Sequence, residues 1–421
     1  MKNIFISAGL LLISFMGTAQ EKSPLPRDTA NEINLNEITV SATRFKEKSI
    51  FIPQKIVSIN AGKIAAYNQQ TTAELLSQSG EVLVQKSQLG GGSPVIRGFE
   101  ANKILIVVDG VRMNNAIFRG GHLQNAITVD NAMLDKTEIL FGPSSVIYGS
   151  DALGGVLSFY TKDPTYSTTA GRAAVSGNAF VRYASAYNEK TGHFDLSVGG
   201  HKVASLTSIT VSDFGDLVQG SNYYDKFPDW GKRTFYVETI NGVDSMIANK
   251  NPDKQIESGY TQYDFLQKVI FKTGKLEHTF NFQFSTTSDI NRYDRLTDVN
   301  GAGVAKSAEW YYGPQKRLLA AWNINLPSNG LYDKAQVVAA YQDVEESRHN
   351  RNYRSANLNH RKENVKIGSI NADFFKKLGK AEWSYGAEIT YNKVNSTAYA
   401  EDIRTGIQSS LDTRYPDGGS N

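Results

Sequence analysis

A small α/β domain followed by an antiparallel transmembrane β-barrel, behind a signal peptide, is the fold class this sequence predicts. Three observations carry the expectation. Between residues 85 and 162, short apolar runs at 104–108, 137–140 and 156–161 alternate with glycine-marked breaks. That is the punctuation of a compact unit of short buried strands. After Gly171 the pattern changes to strict apolar–polar alternation, which marks strands with one apolar face. Tight turns join these stretches at one end and long polar segments join them at the other, as in barrels that cross a bilayer with strands.

From the start of the chain, Lys2 precedes an apolar run at 4–16 and the small residues Gly17-Thr18-Ala19. A positive start, a run short for a bilayer span and small residues at the cleavage position describe a secretory signal peptide over 1–19. Residues 20–43 form a flexible leader, polar and proline-interrupted over 20–35. Its β-prone stretch Glu37-Ile38-Thr39-Val40-Ser41-Ala42 reads as a strand offered for edge pairing, where backbone hydrogen bonds supply affinity. The α/β domain is expected over 44–165. Thr71-Thr72-Ala73-Glu74 matches a capping box, with Leu75 and Leu76 as the buried face and Gly80 as the stop. A strand follows at 82–84. Asp109-Gly110 is a turn signal, because glycine tolerates the positive φ a tight turn needs.

The barrel is expected over 171–421. The clearest alternation sets Phe280, Phe282 and Phe284 against Asn281, Gln283 and Ser285, and a second sets Trp383, Tyr385 and Tyr391 against Glu388 and Asn392. The aromatics are expected to face lipid, and the strands to be solvated on one side only. Turns near 273–275, 327–330 and 378–380 alternate with polar segments at 215–257, 291–314 and 347–360, the expected extracellular loops. About nine strands are counted, whereas bacterial single-chain barrels have even numbers. An open sheet edge in lipid is untenable, so the chain is expected to be the N-terminal part of a longer protein, with about 250 or more residues to follow.

Composition narrows the function classes. There is no cysteine, hence no disulfide and no thiolate chemistry. A net charge of +3, from 45 basic and 42 acidic residues, argues against a nucleic-acid partner. Mean hydropathy is −0.37, and no apolar run after residue 16 suits a spanning helix. Motifs for a serine nucleophile, a zinc protease or a phosphate loop are lacking. The six histidines (122, 193, 201, 278, 349 and 360) show no metal-ligand spacing. No enzyme and no resident cofactor are expected.

Four motifs in order carry a resemblance. They are Pro94-Val95-Ile96-Arg97-Gly98-Phe99, then Val108-Asp109-Gly110-Val111, then Glu138-Ile139-Leu140-Phe141-Gly142-Pro143, then Tyr148-Gly149-Ser150-Asp151-Ala152-Leu153-Gly154-Gly155. Over about seventy residues this resembles the plug domain of TonB-dependent outer-membrane transporters, with Phe141 where the family often has arginine. The resemblance implies a plug inside a barrel of about twenty-two strands. It also implies active import of a scarce ligand, with residues 37–42 as the TonB box and the ExbB/ExbD complex supplying energy. Outer-membrane lipid is the other implied partner. Ligands run from haem through siderophore and cobalamin to sugar or peptide; the alternative is a receptor or adhesin that binds without transport. Arg112, Asn114, Asn115, Phe118, Arg119 and His122 follow the Asp109-Gly110 turn and mix charge, amide, aromatic and imidazole, which suits an anionic or aromatic ligand. His122 is similar to plug-apex histidines that ligate haem iron, and the motif wording leans toward the haem-receptor branch. His349 and His360 are expected in one extracellular loop as a second contribution. Arg97 and Glu138, charged within the motifs of a buried domain, are expected to pair with the barrel wall.

Overall fold

The computed structural model describes residues 39–40, 44–45, 47–48, 52–118, 126–169 and 171–420. The expected signal peptide, Glu37, Ile38, Ser41 and Ala42 of the pairing segment, and Arg119 and His122 lie outside them. Thr39 and Val40 form β1 (Thr39–Val40), paired antiparallel with β2 (Glu47–Lys48).

An inner domain follows. Its elements are β3 (Ile56–Asn60), α1 (Ala61–Tyr67), α2 (Thr72–Gln78), β4 (Leu83–Gln85), β5 (Ser93–Val95), β6 (Ile104–Val108), β7 (Val111–Arg112), β8 (Leu134–Phe141), α3 (Ser145–Tyr148) and β9 (Gly155–Thr161). The sheet order is β3-β8-β9-β6-β7, with β6 parallel to β9. Strand β6 is apolar throughout because both faces are covered. Ile104, Ile106 and Val108 join Leu75 and Leu76 on one side, while Leu105 and Val107 join Leu140, Tyr148 and Val156 on the other. Burying each such side chain contributes about 1.5–3 kcal/mol. The α2 cap is half a capping box. Thr71 Oγ1 accepts from Glu74 N at 3.2 Å, but the Glu74 carboxylate turns to Lys86 instead of reaching back. Helix α1 is capped by Asn60, which accepts from Lys63 N at 2.9 Å.

The wall comprises β10 (Ala174–Ala184), β11 (Glu189–Gly199), β12 (Val203–Phe214), β13 (Phe235–Ile240), β14 (Val243–Ala248), β15 (Tyr260–Thr273), β16 (Leu276–Thr287), β17 (Ile290–Asn291), α4 (Tyr293–Leu296), β18 (Ser307–Tyr312), β19 (Lys316–Leu326), β20 (Lys334–Asn352), β21 (Asn357–Leu378), β22 (Ala381–Asp402), β23 (Gln408–Ser410) and β24 (Gly419–Ser420). Its long strands run antiparallel in the order β10-β11-β12-β15-β16-β19-β20-β21-β22. Segments 200–202, 274–275, 327–333 and 379–380 close one end. At the other end, 215–259 carries the β13–β14 hairpin and 288–315 carries β17, α4 and β18.

Two expectations need correction. Residues 347–360 are not a loop: β20 and β21 run through them and leave only 353–356 as a turn. These residues have no apolar face, but a ladder held by main-chain bonds does not need one. The second concerns solvation. The polar face of the wall is its buried face, with Asn281, Gln283 and Ser285 at most 5% exposed, while Phe280 and Phe282 are 44% and 38% exposed. The wall is inside out relative to a soluble sheet, because its polar side packs on the inner domain. Among the described residues no helix is long and apolar enough to cross a membrane.

Candidate functional site

The contact between inner domain and wall is where the sequence motifs converge. The Asp109-Gly110 turn takes positive φ at both residues, 47° and 84°, and so lifts the Asp109 carboxylate toward the wall. That carboxylate accepts from Thr161 N at 2.9 Å and Thr161 Oγ1 at 2.6 Å within its own domain. From the wall it accepts Asn281 Nδ2 at 2.6 Å and Gln283 Nε2 at 3.3 Å. The Lys268 ammonium stands 3.6 Å away and also pairs with Asp163 at 2.8 Å.

Around this point the wall reaches for main-chain oxygens. Gln262 donates to the Ile127 carbonyl at 2.8 Å, Arg317 to Thr128 at 3.0 Å, Lys268 to Thr161 at 3.2 Å and Gln342 to Arg112 at 2.9 Å. Further along, Thr210 Oγ1 donates to Asp130 at 2.5 Å. Behind it His193 bridges Thr210 (2.7 Å) and Asp195 (3.0 Å), and Lys162 of the inner domain closes on Asp195 at 2.7 Å. The neutral bonds among these contribute about 0.5–1.5 kcal/mol each and those to charged groups about 1.5–3, net of the bonds to water that replace them when they break. Apolar contacts lie between these bonds: Val111 packs on Leu319 and Val338, Met133 on Leu206 and Leu266, and Ile127 on Phe214 and Tyr260.

A second contact is ionic. Arg112 pairs with Asp151 of its own domain at 2.9 Å and with Glu388 of β22 at 3.0 Å. Arg44 meets Glu388 at 3.2 Å and Asp373 at 3.8 Å, and lies over the Tyr148 ring at 4.3 Å. Burial pushes the Tyr148 phenol up to about 12, so it stays neutral. The wall therefore pairs with Arg44 and Arg112, not with the residues expected for that role. Arg97 is exposed, and its guanidinium sits 5.1 Å from the Phe141 ring centre. Glu138 is buried and takes Lys136 of its own strand as countercharge at 2.6 Å. The pairing parity could have found Glu388, which stands on the polar side of the 383–391 alternation. Arg44 gave no signal of its own.

The remaining motif residues shape the backbone. Gly98, Gly142 and Gly149 adopt positive φ of 83°, 89° and 80°, and Pro143 follows the second of these. A Cβ on Gly154 would meet Phe99 at 2.3 Å, and one on Gly155 would meet the Leu140 carbonyl at 2.6 Å.

Arg112, Asn114, Asn115 and Phe118 line a cavity of about 700 Å³ between the inner domain and β21–β22. Asn114 is already occupied: its Oδ1 accepts from Ile106 N at 3.0 Å and its Nδ2 donates to the Ile104 carbonyl at 2.9 Å, so it anchors the base of the segment. Asn115 Oδ1 accepts from Ile117 N at 3.1 Å, and Phe118 packs on the main core. The segment is tied to the wall by Ala116 N donating to Asn392 Oδ1 at 3.3 Å and by Ile117, which packs with Val344, Val365 and Ile367. His349 and His360 stand opposite each other on β20 and β21, not in a loop. Among the described residues no cluster of three or more histidine, cysteine or acidic side chains is placed to hold a metal ion.

Comparison with known proteins agrees with this geometry. Residues 48–156 match the TonB-dependent Receptor Plug Domain. The chain is 28% identical over 248 residues to the vitamin B12 transporter BtuB of Vibrio vulnificus (strain CMCP6), covering 50% of this chain and 39% of that protein. It is 27% identical over 266 residues to a hemin receptor of Yersinia pestis, covering 58% and 37%. The chain thus spans about two-fifths of the length of these curated relatives. In fold it is similar to the copper transporter OprC, with a TM-score of 0.63 at 12% identity over 86% of this chain and 49% of that one. A Serratia marcescens hemophore receptor, HasR, solved with its hemophore and haem, gives a TM-score of 0.59 at 15% identity over 82% and 46%.

Proposed function

From the premise that this chain carries the plug domain of a TonB-dependent receptor, we propose that the protein imports a scarce ligand across the outer membrane of a Gram-negative bacterium. The plug gates a lipid-embedded strand barrel. The observation that supports this most is the set of hydrogen bonds and ion pairs that joins plug and wall around Asp109 and Arg317. Bonds of this kind can be exchanged for bonds to water as a plug moves, at a net cost well below their gross strength.

Tight binding of a scarce ligand makes unaided release slow, since nanomolar affinity corresponds to about −12 kcal/mol. The outer membrane has no energy source of its own, so work arrives mechanically. Residues 37–42 are the handle: TonB, driven by ExbB/ExbD, pairs with this strand and pulls. The ligand meets the plug apex, with Arg112, Asn115, Arg119 and His122 presenting charge, amide and imidazole, Asn114 and Phe118 holding the segment's base, and the long outer loops closing over it. The haem-type ligand is the reading favoured here, with His122 as axial ligand to its iron, and the named relatives that bind hemin and haem support it.

Deleting residues 36–42 in the full chain should abolish uptake and leave surface binding intact; unimpaired uptake would refute the coupling. Haem titration of His122→Ala tests the ligand arm separately, and an unchanged affinity removes this residue from the site.

A further inference from the structure

Beyond the import reading lies a pair of imidazoles that the ligand path does not use. His349 of β20 and His360 of β21 are direct cross-strand partners, and their Nδ1 atoms stand 2.6 Å apart. Two further rings complete a row across four strands: Tyr311 of β18 stacks on His349 at 4.6 Å, and Tyr399 of β22 stacks on His360 at 4.6 Å. Each imidazole is thereby flanked by an aromatic ring. By strand parity they share the outward face with Tyr341 and Gly368. They lie past a belt of charge in which Glu345 pairs with Lys316 at 3.4 Å and Lys362 at 2.9 Å. The pair is therefore beyond the apolar band and approached from the external solution.

We propose that His349 and His360 form a two-imidazole site for a borderline divalent transition ion, of which Cu²⁺, Ni²⁺ and Zn²⁺ are the matching cases. Imidazole nitrogen suits these ions, whereas Mg²⁺ and Ca²⁺ require oxygen ligands. Two bare nitrogens at contact distance repel unless a proton or a cation lies between them. An ion held at about 2.0–2.1 Å from each nitrogen needs them roughly 3 Å apart, so a small rotation of either ring opens the pair enough, and water completes the shell. His349 also has a hydrogen bond to the Gly313 backbone, an orienting partner of the kind that fixes ligating imidazoles. The carboxylates of Glu309 and Glu401 bear on His360 with negative charge, which favours a cation. The bound ion would tie β20 to β21 where the hairpin stands clear of lipid.

The test uses the full chain in detergent micelles titrated with Cu²⁺. One ion per chain is expected, with an electron paramagnetic resonance pattern showing two equivalent nitrogens, and Zn²⁺ but not Mg²⁺ should displace it. His349→Asn and His360→Asn should each weaken binding at least tenfold, since the second ligand acts at high local concentration, while His201→Asn should leave it unchanged. The spectrum of the unaltered chain is read independently of whether a variant folds. Oxygen-only or single-nitrogen coordination there, or undiminished affinity in the double variant, overturns the proposal.

Discussion

Replacing Asp109 by asparagine tests the plug–wall contact with little disturbance of the turn, because asparagine also tolerates the positive φ of 47° observed there. The amide keeps one oxygen for Thr161 N. It turns an NH₂ group toward Asn281 Nδ2, which now donates to the carboxylate at 2.6 Å, and toward the Lys268 ammonium at 3.6 Å. A hydrogen bond to a charged group contributes about 1.5–3 kcal/mol, and Lys268 keeps Asp163 at 2.8 Å as its remaining partner. The expected loss is about 3 kcal/mol. With a urea slope of about 1–3 kcal/mol per molar, the midpoint for plug release should fall by roughly 1–3 M. The assay is protease susceptibility of residues 52–161 across a urea series, in micelles. Pairing the variant with Asn281→Ala completes a cycle whose coupling should be about 1 kcal/mol or more. A midpoint shift below about 0.3 M, or strict additivity in the cycle, would show that the carboxylate does not bind the wall.

Other outcomes follow from the same contacts. Arg351, 1% exposed, chelates Asp244 at 2.8 and 2.9 Å and meets Glu309 at 2.6 Å; Arg351→Met should therefore destabilise the β13–β14 hairpin locally by about 3–5 kcal/mol, read as faster proteolysis within 235–248. Burial and His360 depress His349 to about 4 from 6.5, so the unfolded chain binds this proton more readily than the folded one. Without metal, stability at the 349–360 hairpin should then be intact above about pH 6.5 and fall as pH drops toward 4, and amide protection factors there, corrected for the intrinsic exchange rate, that stay flat from pH 7 to 5 would contradict it. Phe282→Arg puts a charge on the lipid face and should cost about 2–4 kcal/mol near mid-bilayer, measured as folding yield into vesicles; an unchanged yield would move Phe282 off that face.

The inner strands and the alternation of the wall were legible because each follows from local chemistry. Residues 104–108 are apolar throughout and are covered on both faces, and Phe280, Phe282 and Phe284 keep the outward side that their period assigns them. The ends of β20 and β21 were not legible: 347–352 is Ser-Arg-His-Asn-Arg-Asn, which reads as a loop because a ladder held by main-chain bonds alone leaves no apolar signature. The ionic partners of the wall were missed for a related reason. Motif position singled out Arg97 and Glu138, whereas long-range packing chose Arg44 and Arg112, and Glu388 only acquires meaning once β22 is placed beside the 112–118 segment. Asn114 was legible as a polar residue near the site, but its role as a buried brace between the carbonyl of Ile104 and the amide of Ile106 depends on a fold that sequence spacing does not reveal.

Side chains at Gln262, Lys268, Arg317 and Gln342 grip carbonyl oxygens, an atom every amino acid carries. At these four points the wall grips peptide groups, whereas Asp109, Asp130 and Arg112 add contacts that depend on the side chain present. An inner domain of different sequence that traced the same main-chain route would still offer these four grips their acceptors.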